Sequence, residues 1–263
     1  MSESKELTTA QSKELATLYG DLGIEEMAGM NTEDMTSSDD YAMPFLSLLQ
    51  SGSPQCKKSD PRYVKGAEEG AFFNTVEKEV YGDEVTIVPV AYRRAFVEWK
   101  LREDGGGYCG EFLPGEQPST VLDEKNRDIL GNGHELKDTR YWYALVIKAD
   151  GSFEPCVIGM TRTQIRPSKS LANMVTKDHW PDGVKRGKAP PFFVWQYNAK
   201  SIPQQSDEYA FVNWEFSRGA PVTDREVLEA AKALREAVKA GAVREATESL
   251  DEEMAETGET TSY

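Results

Sequence analysis

The stretch that most restricts the fold is residues 85–101, dense in β-branched and aromatic side chains, which reads as one long strand. Two-residue alternation puts Tyr92, Arg94, Phe96, Glu98 and Lys100 on one face and Ala91, Arg93, Ala95, Val97, Trp99 and Leu101 on the other. Pro89 cannot donate to a ladder, so a bulge or an edge position is expected there. A long strand bent at a bulge is what a small, strongly coiled barrel requires.

Shorter strands are expected around it. Residues 72–76, 141–148 and 153–160 carry apolar strand patterns, and Asp150-Gly151 favours a tight hairpin between the last two. Residues 192–200 and 209–217 read as a second hairpin, and residues 46–49 as a short apolar strand or turn. Residues 113–138 are polar, with turn signals at Pro114-Gly115, Pro118 and Gly131-Asn132-Gly133, and predict a long surface excursion.

Two segments read as helices. Residues 163–175 place Ile165, Leu171, Met174 and Val175 at helical spacing, with Pro167 either delaying the start or kinking the helix. A second helix begins at Asp224, with Thr223 and Glu226 as a capping box, Val222 and Val227 as a hydrophobic staple, and Gly241 as the stop. Its stripe of Leu228, Ala231, Leu234 and Val238 packs on the core.

Charge divides the chain. The net charge is -15, yet residues 1–42 carry ten acids and two bases, residues 222–263 eleven and five, and residues 43–221 a nearly balanced 24 and 23. The expected organisation is an acidic N-terminal arm (1–42), one central domain (43–221), a C-terminal helix (222–244) and an acidic tail (245–263). No segment approaches the ~20 apolar residues of a membrane-spanning helix, and the N-terminus lacks the order of a secretory signal, so a cytoplasmic protein is expected. Cys56, Cys109 and Cys156 are odd in number and widely spaced, and with only His134 and His179 beside them no close-spaced metal-ligand pair exists. No metal or other cofactor is expected.

Enzymatic signatures are missing as well. The chain has no GxxxxGK[ST], no GxGxxG after a strand, no HExxH and no GxSxG. What it has is cations beside aromatic rings, the pairing that holds phosphates and stacks unpaired bases. Residues 92–102 hold four bases and three rings, and residues 162–200 hold eight bases against Asp178 and Asp182. The candidate phosphate contacts are Arg93, Arg94, Lys100, Arg102, Arg166, Lys169, Lys185, Arg186 and Lys188. The candidate stacking rings are Tyr92, Phe96, Trp180 and Tyr197. Trp180 sits in a loop containing glycine and proline, which reads as an arm able to clamp a strand.

Several stretches resemble the single-stranded DNA-binding proteins of podovirus-like phage replication modules. They are Pro44-Phe45-Leu46-Ser47-Leu48-Leu49-Gln50 with Ser53-Pro54, residues 70–75, residues 85–99, Glu135-Leu136-Lys137-Asp138-Thr139, residues 143–147 and residues 154–170. The resemblance implies an OB-like antiparallel barrel of five to seven strands with helical additions, a mainly β fold of the α+β kind. It also implies sequence-independent binding of single-stranded DNA in replication or recombination, no cofactor, and a tail that recruits partner proteins. Asp251, Glu252, Glu253 and Tyr263 are the partner-binding candidates, although tails of this type end in a dense acidic run and a phenylalanine, whereas this one ends Glu259-Thr260-Thr261-Ser262-Tyr263. The first rival reading is an acidic adaptor or virion-associated protein that binds no nucleic acid, and the second a nucleic-acid enzyme whose site only folding assembles.

Overall fold

The computed structural model describes residues 42–183, 187–206, 210–241 and 243–245. In chain order the strands are β1 (Ala42–Met43), β2 (Leu46–Leu48), β3 (Phe72–Asn74), β4 (Val80–Gly82), β5 (Glu84–Trp99), β6 (Tyr108–Phe112), β7 (Val121–Leu122), β8 (Asp128–Ile129), β9 (Glu135–Ile147) and β10 (Phe153–Thr161). After helix α1 (Ile165–Lys177) come β11 (Trp195–Gln205), β12 (Ala210–Pro221), helix α2 (Arg225–Ala240) and β13 (Arg244–Glu245).

The expected long strand is β5, and it pairs antiparallel with β9 from Thr86↔Ile147 to Trp99↔Glu135. The register shifts between Pro89 and Ala91, so the bulge falls where the proline placed it. One consequence is that Val90 and Ala91 share an apolar cluster, and the side-chain parity of β5 reverses there. Around this central ribbon the sheet forks. One end runs β12-β11-β5-β9-β10, and the other runs β6-β5-β9-β8-β7. Every pairing in this sheet is antiparallel. β7 and β8 belong to the stretch expected to be a bare surface excursion.

The first end curls into a half-barrel. Residues 44–50 span its open side: Val157 of β10 donates its N–H to Pro44 at 2.8 Å, while the Gln50 amide exchanges two hydrogen bonds, each 3.1 Å, with the backbone of Val212 in β12. The Gln50 side chain thereby satisfies an edge strand that would otherwise offer open N–H and C=O groups.

Each face of the sheet carries a helix. On one, Leu171 and Val175 of α1 pack with Phe72, Ile87, Trp142, Met160, Tyr197 and Trp214. On the other, Val227 and Ala231 of α2 pack with Val88, Val97, Tyr141 and Leu145. Pro167 lies in the first turn of α1, where an N–H has no helical acceptor to lose, and the α-helix starts at Ile165, two residues later than the pattern predicts, after a single 3-10 turn at Arg162–Gln164. The cap of α2 differs from expectation. Asp224, one residue closer to the helix than Thr223, accepts from Glu226 N (2.8 Å) and Val227 N (3.5 Å). Gly241 ends the helix at φ 69°, a left-handed conformation that favours glycine. The chain then returns as β13 to pair in parallel with β1, Ala42 opposite Arg244, across the boundary expected between the C-terminal helix and the tail.

Candidate nucleic-acid interface

Beyond the bulge, β5 presents the two faces its alternation predicts. Tyr92, Arg94 and Phe96 stand opposite Trp142, Arg140 and Asp138 of β9. Arg94 donates Nε and Nη2 to the two carboxylate oxygens of Asp138, at 2.8 and 2.9 Å. Arg140 grips the same carboxylate at 3.1 and 2.9 Å and donates Nη1 to the Tyr92 hydroxyl at 3.1 Å. The Arg94 guanidinium lies 4.8 Å from the centre of the Phe96 ring, and the Tyr92 ring sits 4.8 Å from Trp142.

Two forked arginines share one carboxylate, so the cluster keeps a net positive charge and both guanidinium planes are held in place. Burial raises the pKa of Asp138, but the hydrogen bonds from Arg94 and Arg140 outweigh it and hold the carboxyl below its ordinary range. Tyr92 is 38% exposed, one of two exposed Phe, Tyr or Trp rings among the described residues, with Tyr108.

Trp142 joins this platform to α1, because its indole N–H donates to the buried Ser168 hydroxyl at 2.9 Å. Arg166 and Lys169 flank Ser168 and are exposed. Lys100 and Arg102 are exposed just past the end of β5.

Three candidates fall elsewhere. Arg93 points to the opposite face of the sheet, where it forms an ion pair with Glu111 and lies 4.6 Å from the Tyr141 ring centre, so it leaves the platform. Tyr197 is fully buried, with its hydroxyl bonded to Asp178, and cannot stack on a base. Burial, and then the Asp178 carboxylate, push its phenol pKa upward. The cause is position: β11 is an interior strand between β12 and β5, so its inward rings belong to the core. Trp180 is half-buried and donates its indole N–H to the Lys188 carbonyl at 2.9 Å, which packs it within its own loop. Lys188 is exposed, whereas Lys185 and Arg186 lie outside the described residues, as do Asp251, Glu252, Glu253 and Tyr263.

The fold adds residues that the sequence reading passed over. Arg140 completes the platform, and alternation along β9, which aligns Asp138, Arg140 and Trp142, was the available signal. At the C-terminal end of α1, Arg218 stacks 4.9 Å from the Trp195 ring centre and pairs with Asp178 at 2.6 Å, with His179 edge-on to Trp195. Arg218, Asp178 and His179 border a cleft of about 490 Å³ that also takes in Ser170, Asn173, Met174 and Lys177.

Among the described residues no helix is long and apolar enough to cross a membrane. Residues 13–244 match the Pam3 phage gp34-like protein family, and the chain belongs to that phage family. No curated protein and no solved structure matches it.

Proposed function

We propose that this chain is a phage single-stranded DNA-binding protein whose curled sheet serves as an OB-like platform, with an unpaired strand lying across the face of β5 and β9. The observation that carries the reading is the Tyr92–Arg94–Phe96–Asp138–Arg140 constellation. Flat cationic and aromatic surfaces sit side by side on one sheet face, with Tyr92 and Arg94 outermost and Arg140 largely buried behind them, prepositioned by a carboxylate rather than left to search rotamers. Phosphates meet guanidinium groups and bases stack on rings, contacts that every nucleotide offers, so binding in this reading is independent of sequence. Arg166 and Lys169 extend the positive surface along α1. A strand-face binding site is also the usual arrangement in OB-folds, and membership of a phage family suits a role in replication or recombination. The acidic tail, in this reading, competes for the platform or recruits partner proteins.

Fluorescence titration of oligo(dT) at several salt concentrations tests the proposal. Log affinity should fall linearly with log salt, and Arg94→Ala and Arg140→Ala should each reduce the slope by about 0.7. Phe96→Ala should weaken binding by roughly 1–3 kcal/mol, while Arg93→Ala, on the other face, should leave the slope unchanged. Absence of binding is the adaptor's signature and would overturn the proposal, as would Arg94 and Arg140 variants that bind like the parent.

A further inference from the structure

We propose that Glu98, Cys109 and His134 form a binding site for a divalent transition metal of the zinc type. Their spacing in the chain hides them, but the sheet gathers them. Glu98 sits on β5 opposite Gly110 of β6 on one side and Leu136 of β9 on the other. Cys109 precedes that glycine, and His134 immediately precedes β9. One carboxylate oxygen, one imidazole nitrogen and the Cys109 sulfur all lie within 4.8 Å of one another.

The arrangement is more than proximity. His134 Nδ1 is 2.6 Å from Glu98 Oε1. Asn132 donates Nδ2 to the same oxygen at 2.8 Å and accepts the His134 backbone N–H at 3.1 Å. Asn132 therefore orients two of the three donors from outside the set, as residues behind a metal site do. Tetrahedral zinc with bonds of 2.0–2.3 Å places its donors about 3.3–3.8 Å apart. On the sulfur side the contraction needed is at most about an ångström, within reach of a side-chain rotation at the exposed Cys109, while the 2.6 Å contact between His134 and Glu98 must open by about 0.7 Å as the metal takes the place of the shared proton. Sulfur, nitrogen and oxygen together select zinc or cobalt over magnesium or calcium, which prefer oxygen alone. A fourth position remains for water on the solvent side of Cys109. Bound metal would fasten β6 and the glycine-rich turn before it to the central ribbon.

Cobalt(II) is the probe, titrated into the full chain with its cysteines reduced. The acidic ends of the chain can also collect cobalt, but only a cysteine ligand gives a thiolate-to-cobalt charge-transfer band. The expected result is that band saturating at one equivalent, retained in Cys56→Ser and Cys156→Ser and abolished in Cys109→Ser. Glu98→Gln and His134→Ala should weaken cobalt affinity roughly tenfold or more. Zinc should raise the melting temperature of the parent and not that of Cys109→Ser, a comparison that also shows the variant is folded. A missing charge-transfer band, or one that survives Cys109→Ser, overturns the site.

Discussion

Lys137 and Asp138 are neighbours in the chain with opposite roles. Asp138 faces the platform and organises two arginines, while Lys137 is turned into the sheet's other face, 9% exposed, 3.6 Å from Glu135 and 5.9 Å from the Trp99 ring centre. Burial pulls the Lys137 pKa from 10.5 down to about 8, against the attraction of Glu135. The folded-state value lies below the unfolded one, so between about pH 8 and 10.5 the unfolded chain binds more protons and stability rises with pH. Below pH 8 the burial cost is present in full, at most roughly 3 kcal/mol. Lys137→Met should remove that slope and raise stability at pH 7, because Glu135 keeps Arg162 at 2.5 Å. Urea denaturation of both proteins at pH 7 and pH 10 checks this; parallel pH profiles would refute it. At this scale the sequence was readable wherever a residue's own strand set its direction. Arg94 and Arg93 separated as alternation required, because burying Ala95, Val97 and Trp99 fixes the register. Tyr197 was misread because nothing local tells an interior strand from an edge, and Arg140 escaped because its role depends on the strand opposite.

At the level of elements, β5, the β9–β10 hairpin and both helices were legible, since each is specified by short-range pattern, a turn dipeptide or a terminator. The cap of α2 shows the margin of such reading. Thr223 and Asp224 both suit an N-cap, and the choice rests on which backbone N–H groups the side chain reaches. Asp224→Ala should cost about 1 kcal/mol and lower the melting temperature, whereas Thr223→Ala should leave it nearly unchanged. Thermal denaturation of the two variants decides between them, and equal losses would restore the threonine. The Glu98–Cys109–His134 cluster was illegible for a different reason: its members come from three segments that meet only through the registers of β5 with β6 and with β9.

For the whole molecule, the forked sheet and the crossing of residues 44–50 between its two edges required long-range pairing that no local pattern contains. The pairing of β1 with β13 has a consequence for the charge division. Ala42 and Arg244 are direct neighbours, so the acidic N-terminal segment and the acidic tail join the described fold at one point. Deleting residues 246–263 while keeping β13 removes six acids and leaves that anchor intact. If the tail competes with DNA, the shortened chain should bind oligo(dT) more tightly, with the largest gain at low salt, where charge repulsion is least screened. Unchanged affinity in the same titration would end the competition idea and leave the platform untouched.

The central claim is that DNA lies on the Tyr92–Phe96 face, and the most direct measurement is ultraviolet crosslinking of the full chain to bromodeoxyuridine-substituted single strands, with the attached peptides identified by mass spectrometry. The expected adducts fall on Tyr92 and Phe96 and disappear in Arg94→Ala/Arg140→Ala. Adducts confined to the opposite face, at the exposed Tyr108 beside Trp99, would contradict the account.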